Sequence, residues 1–126
     1  MNNSLNVKKS KRIRCYIAGP MYRKTKQSFY SPVEIWQHIK KAITIGMELY
    51  KKGYAPYIPH LNALVDMVMD SNMKGEEWVE EFDFPWLEQC QALYYIQDSI
   101  GANQELKHAQ ELGLKIYRRL KDVPRI

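Results

Sequence analysis

The chain has 126 residues, 45% of them hydrophobic, and 19 Lys and Arg against 14 Asp and Glu give it a formal net charge of +5. That length suits one domain that buries its own core, and is too short for two ordinary ones. No apolar run approaches the roughly 20 residues that cross a bilayer, and Met1–Lys11 has no apolar segment of the secretory kind, so no membrane partner and a cytoplasmic location are expected.

The positive charge is concentrated at the ends. Lys8, Lys9, Lys11, Arg12 and Arg14 crowd the start; Lys115, Arg118, Arg119, Lys121 and Arg125 crowd the finish. The stretch between holds more acids than bases, so the ends read as solvated tails ahead of the alternative, basic runs that touch nucleic acid. The expected layout is a disordered basic tail over residues 1–11, one domain over 12–118 and a basic C-terminal tail over 119–126. Cys15 and Cys90 lie far apart in apolar stretches, which suits two buried thiols better than a disulfide framework or a zinc motif.

Residues 12–18 are β-rich and stop at Gly19-Pro20, which marks a buried strand and a sharp loop. A helix then opens on Ser31, Pro32 and Glu34, a capping box with proline in the first turn. Trp36, Ile39, Ile43, Met47 and Tyr50 form its expected apolar face, and Gly53 ends it. Residues 54–58 read as a second strand, 63–70 as a short helix and 71–75 as a polar connector. Residues 76–91 are helical in composition, broken by Pro85 near Asp83, which is placed to cap the second piece. A third strand over 92–97 leads through Asp98-Ser99-Ile100-Gly101 into a helix over 102–112, with Leu106, Ala109 and Leu112 inward and Gly113 as its stop. Residues 114–117 make a fourth strand.

Strands alternating with helices imply a mainly parallel sheet covered on both faces. In such folds ligands bind beyond the carboxyl ends of the strands, where the strand order reverses. Three loops should meet there. The first offers Gly19, Pro20 and Tyr22, either as a plain turn or as a close approach with a ring for a base or sugar. The second offers His60 and Asn62, and a histidine there is either a structural hydrogen-bonder or a ligand contact. The third, Ser99 to Ala102, presents a helix N-terminus suited to a phosphate. Glu105 lies one turn in. With Leu106 inward, Glu105 sits about 100° round the helix, either aimed toward the cleft or standing in solvent as an ordinary helix acid. Phe82-Asp83-Phe84-Pro85-Trp86 sets a carboxyl among apolar groups, which raises its pKa and suits an acid catalyst.

Taken together, Tyr16-Ile17-Ala18-Gly19-Pro20, Pro59-His60, Asp83 with Leu87 and Cys90, and Ser99-x-Gly101-Ala102-x-x-Glu105 followed by Ala109 and Gly113 resemble the nucleoside 2-deoxyribosyltransferase-like superfamily, which includes nucleotide N-glycosidases. The resemblance covers about residues 12–118. It implies a flavodoxin/Rossmann-like three-layer α/β fold with a mainly parallel four- or five-stranded sheet, and a homodimer or higher homo-oligomer. It also implies a nucleoside or nucleotide substrate and a glutamate nucleophile at Glu105. Gly19, Pro20, Ser99 and Gly101 match sugar- and phosphate-holding places, and His60 falls where several phosphate-using members carry a substrate-binding histidine. The chain departs from the family at Gln91, where relatives commonly have aspartate; Asp83 or Asp98 then stands in as the acid near the leaving base. Chemistry of this kind needs no metal or other cofactor. The alternative is a non-catalytic nucleotide-binding protein on the same fold.

Overall fold

A computed structural model describes residues 7–68 and 75–126. Strand β1 (Ile13–Ala18) leads to helix α1 (Pro32–Lys51), β2 (Tyr54–Tyr57), a 3-10 turn (Pro59–Asn62) and the short helix α2 (Ala63–Val68). Then follow α3 (Gly75–Trp78), a π-helical turn (Val79–Asp83), α4 (Phe84–Leu87), β3 (Ala92–Tyr95), α5 (Ile100–Glu111), β4 (Lys115–Tyr117) and a last 3-10 turn (Leu120–Asp122). The connector expected over residues 71–75 lies, as far as residue 74, outside the described residues. All strand pairs are parallel, in the order β2-β1-β3-β4. This is a three-layer α/β fold of the flavodoxin/Rossmann type with a four-stranded sheet.

Alternation along β1 divides the core between the sheet's two faces. Cys15 and Ile17 pack with Ala42, Ile45 and Leu49 of α1. Tyr16 and Ala18 pack with Leu87, Cys90, Ala102 and Ala109 beneath α4 and α5. Both cysteines are free and buried.

Helix α1 forms where its signals place it, with Ser31 and Glu34 completing the capping box. Its inward face is not the expected one. Ala42, Ile45, Gly46 and Leu49 are buried, while Trp36, Met47 and Tyr50 stand 59%, 46% and 52% exposed. The reason is closeness: a Cβ on Gly46 would lie 2.7 Å from Ile58 Cδ1, so only small side chains fit along part of the contact line. Leu112, also expected inward, is exposed on the last turn beyond α5.

The expected C-terminal tail is a second correction. Val123 is buried, and Leu120 packs against the α1-side core. Tyr54 donates its hydroxyl proton to the Pro124 carbonyl at 2.9 Å, and Ile126 N–H donates to the Lys52 carbonyl at 2.7 Å. The apolar residues spaced among the basic ones give this segment surface to bury, so it docks instead of trailing in solvent. Residues 7–11 are exposed and carry no regular structure, and residues 1–6 of the expected N-terminal tail lie outside the described residues.

The strand order reverses at β1 and β3. The chain leaves β1 toward β2 on one side, and leaves β3 toward β4 on the other. That opens a crevice at the carboxyl ends of these two central strands.

Candidate functional site

The crevice is a cleft of about 590 Å³, within the usual range for small-molecule sites. Gly19 and Tyr22 line it from the loop after β1, His60 and Asn62 from the turn after β2, and Ser99, Gly101 and Glu105 from the start of α5. Asp83 enters from the π-helical turn. The three loops therefore meet as the sequence implies.

Glu105 is better placed than its helix pattern suggests. The buried line of α5 is Ala102, Glu105 and Ala109, so the glutamate sits on the inward face and Leu106 at its flank. It points down onto the sheet, where the Tyr16 hydroxyl donates to Glu105 Oε2. Tyr16 is fully buried and Glu105 is 5% exposed. Burial, then the nearby Asp83, hold the Glu105 carboxyl well above the usual carboxylate range, while the Tyr16 hydrogen bond pulls the other way.

Asp83 is buried as well, and burial pushes its carboxyl up to about 7. It occupies the N-cap position of α4 but makes no capping hydrogen bond, contrary to expectation. Its Oδ1 instead accepts from Asn62 Nδ2 at 3.4 Å. The same amide lies 3.4 Å from the Tyr57 hydroxyl, and the Tyr57 ring stacks on Tyr16, its cross-strand neighbour, with centroids 5.5 Å apart. Two carboxyls, two tyrosines and one amide thus form a connected floor beneath the cleft.

His60 is 4% exposed, and burial lowers its pKa to about 4. The Pro20 and Gly19 carbonyls approach the ring, but neither ring nitrogen makes a hydrogen bond of regular geometry among the described residues. A ring held neutral brings no fixed positive charge to a phosphate. At the start of α5, Ser99 accepts from Ala102 N–H at 3.0 Å, which satisfies one of the free amides there.

Two expected site residues stay outside. Asp98 is exposed and turned to the Tyr95 hydroxyl 3.0 Å away, with Arg118 over the same ring. Pro20 is buried behind the cleft wall. Gln91, the departure from the family pattern, precedes β3 at the far end of the sheet, where its Oε1 accepts from Arg14 N–H at 2.9 Å. It is remote from the cleft.

A family model described as a domain of unknown function (DUF7768) matches residues 15–119. The chain belongs to the DUF7768 family. No curated protein matches it. The matched span takes in every cleft residue of this DUF7768 domain, from Gly19 to Glu105.

Sequence reasoning did not single out Arg23 and Asp66, which line the cleft's outer part. Asp66 follows Asn62 by four residues, so the two share a helical face. That spacing was the available signal in the sequence. The floor beneath the cleft of the DUF7768 domain also contains Tyr57, whose place beside Tyr16 follows only from strand register.

Proposed function

We propose that this DUF7768 domain cleaves the N-glycosidic bond of a nucleoside or nucleotide, by hydrolysis or base exchange. The observation that carries the reading is the buried Glu105, held by Tyr16, in one cleft with a second buried carboxyl, Asp83.

Breaking the bond builds positive charge at C1′ of the sugar. The Glu105 carboxylate attacks C1′ as the C1′–N bond breaks, forming a glycosyl ester, as in retaining glycosidases. Asp83 gives its proton to the leaving base. A water then attacks C1′, its proton returns to Asp83, and Glu105 is freed; a second base in place of water makes the reaction a transfer. Two close buried carboxyls resist ionising together. The Tyr16 hydrogen bond and the charge growing on the sugar favour Glu105 as the ionised member, leaving the proton on Asp83. Gly19 and the start of α5 line the rest of the cleft for sugar and any phosphate.

Chromatography of nucleosides and nucleotides incubated with the wild type and Glu105→Ala tests the reading. Base release by the wild type and none by the folded variant is expected; equal release by both would sink it. Binding without cleavage is the second reading, favoured by the burial of Glu105, which disfavours the ionised form that attack on C1′ requires. Its mark is a thermal shift with nucleotides and no base release.

The same proposal takes the protein as a homodimer. The exposed apolar side chains Trp36 and Met47 on α1, and Leu64 and Val68 on α2, support this. Sedimentation analysis of the wild type checks it, with a monomer at every concentration as the contrary result.

A further inference from the structure

Asp66 has no part in the bond-breaking scheme, yet its carboxylate lines the cleft beside the Tyr22 hydroxyl. Among the described residues it has no ion-pair partner. Asn62, one helical turn before it, contacts Asp83. A turn separates side chains on one face by about 6 Å. On the glycosidic reading Glu105 and Tyr16 lie at the sugar and Asp83 at the leaving nitrogen, and Asp66 stands about one helical turn from Asn62, the residue that contacts Asp83. A purine joined to the sugar at its five-membered ring reaches across that interval with its pairing edge. A pyrimidine is one ring shorter. Trp78, fixed by stacking on Phe82 at 4.4 Å and 11°, lines the same cleft and offers a flat wall for a base.

A carboxylate only accepts hydrogen bonds. Among the common bases, guanine alone presents two adjacent N–H donors on its pairing edge, at N1 and at the 2-amino group. Adenine and cytosine set a ring nitrogen acceptor beside the amino group, and that acceptor would face a carboxylate oxygen unpaired. Thymine and uracil set a single N–H between two carbonyls. Asp66 is exposed in the open cleft, and a base that covers it without supplying donors leaves its oxygens unmatched.

We propose that Asp66, next to Tyr22, is the specificity residue of the cleft, and that it selects guanine as the base of the nucleoside bound there. This rests on the glycosidic reading for the position of the sugar, but it is tested by binding alone.

The test measures dissociation constants by calorimetry for 2′-deoxyguanosine, 2′-deoxyadenosine and their ribose counterparts. It uses Glu105→Ala, so that no ligand is consumed, and Glu105→Ala with Asp66→Asn. The expected result is a preference for guanine of at least about tenfold with Asp66, the worth of one two-point base contact. Asparagine offers one donor and one acceptor, which fits the adenine edge, so Asp66→Asn should reverse the order. An unchanged guanine-to-adenine ratio overturns the proposal. So does a change that follows ribose against deoxyribose whatever the base, which would place Asp66 on the sugar, and so does failure of every nucleoside to bind. Guanine-selective binding with no base release by the wild type upholds this proposal and defeats only the catalytic one. Base release with no dependence on Asp66 does the reverse.

Discussion

The Tyr16 hydroxyl donates to Glu105 Oε2, and the two side chains meet in the interior, 0% and 5% exposed. Tyr16→Phe removes the donor that favours the ionised glutamate. A hydrogen bond to a charged group contributes about 1.5–3 kcal/mol, so base release should fall roughly 10- to 100-fold with the fold intact. Glu105→Gln keeps an acceptor for Tyr16 and removes the ionisable group from the interior. It should abolish base release while the melting temperature at pH 8 stays equal or rises. Steady-state rates and thermal melts of the two variants check both.

Asp83 and His60 give opposite pH dependences. The folded pKa of Asp83, about 7, is above its ordinary 3.8, so between these values the unfolded chain has lost the proton and the folded one keeps it. Stability from this group is full below about 4 and is lost as pH rises toward 7. The folded pKa of His60, about 4, is below its ordinary 6.5, so its contribution is present above 6.5 and lost as pH falls toward 4. The two slopes oppose each other in the wild type. Asp83→Asn should gain stability over the wild type as pH rises from 4 to 7, by ~4 kcal/mol at most. His60→Gln should instead lose stability over the wild type across the same rise. Urea unfolding at a series of pH values measures both.

Asn62 holds Asp83 by one hydrogen bond that lowers its pKa. Asn62→Leu should raise the Asp83 pKa above about 7. The alkaline limb of the base-release profile, where the acid loses its proton, should then move to higher pH. A lower rate with an unmoved limb would mean that Asn62 only fills space.

Gly53 has φ +105°, and a Cβ there would lie 2.5 Å from the Ile126 carbonyl oxygen. Gly53→Ala should cost about 1–3 kcal/mol through the backbone alone, and more through displacement of the docked C-terminal segment. Urea unfolding of this variant, beside one lacking residues 124–126, separates the two effects.

Gln91 lies at the amino end of β3, away from the cleft. Gln91→Asp should leave base release unchanged and cost at most about 0.5–1.5 kcal/mol, the worth of the hydrogen bond that Gln91 Oε1 accepts from Arg14 N–H. A large rise in rate would mean that this end of the sheet communicates with the site.

Much of this fold was legible along the chain. The turn at Gly19-Pro20, the capping box at Ser31 and the stop at Gly113 are local signals, set by backbone sterics and nearby hydrogen bonds; the break expected at Pro85 is instead a π-helical turn, Val79–Asp83, through which the backbone stays helical from Gly75 to Leu87. The alternation they punctuate implies a parallel sheet, and that sheet implies where its loops converge. The raised pKa of Asp83 was legible too, from the apolar groups around it in sequence.

The side that a helix buries was not legible in the same way. α1 offers a stripe of large apolar residues and a second line in which Ala42 and Gly46 alternate with Ile45 and Leu49, and the sheet took the second because Gly46 permits close approach. The basic C-terminal segment looked solvated until its apolar members found α1 and Tyr54. Tyr16 and Glu105 stand 89 residues apart, and no spacing rule joins them. The sequence by itself determined the order of elements and the loops that form the cleft, because sterics and periodicity act between neighbours. Only the tertiary structure turned Glu105 inward onto Tyr16, brought Asp66 into the cleft and left Asp98 and Gln91 outside, because these depend on which surfaces pack once distant segments meet.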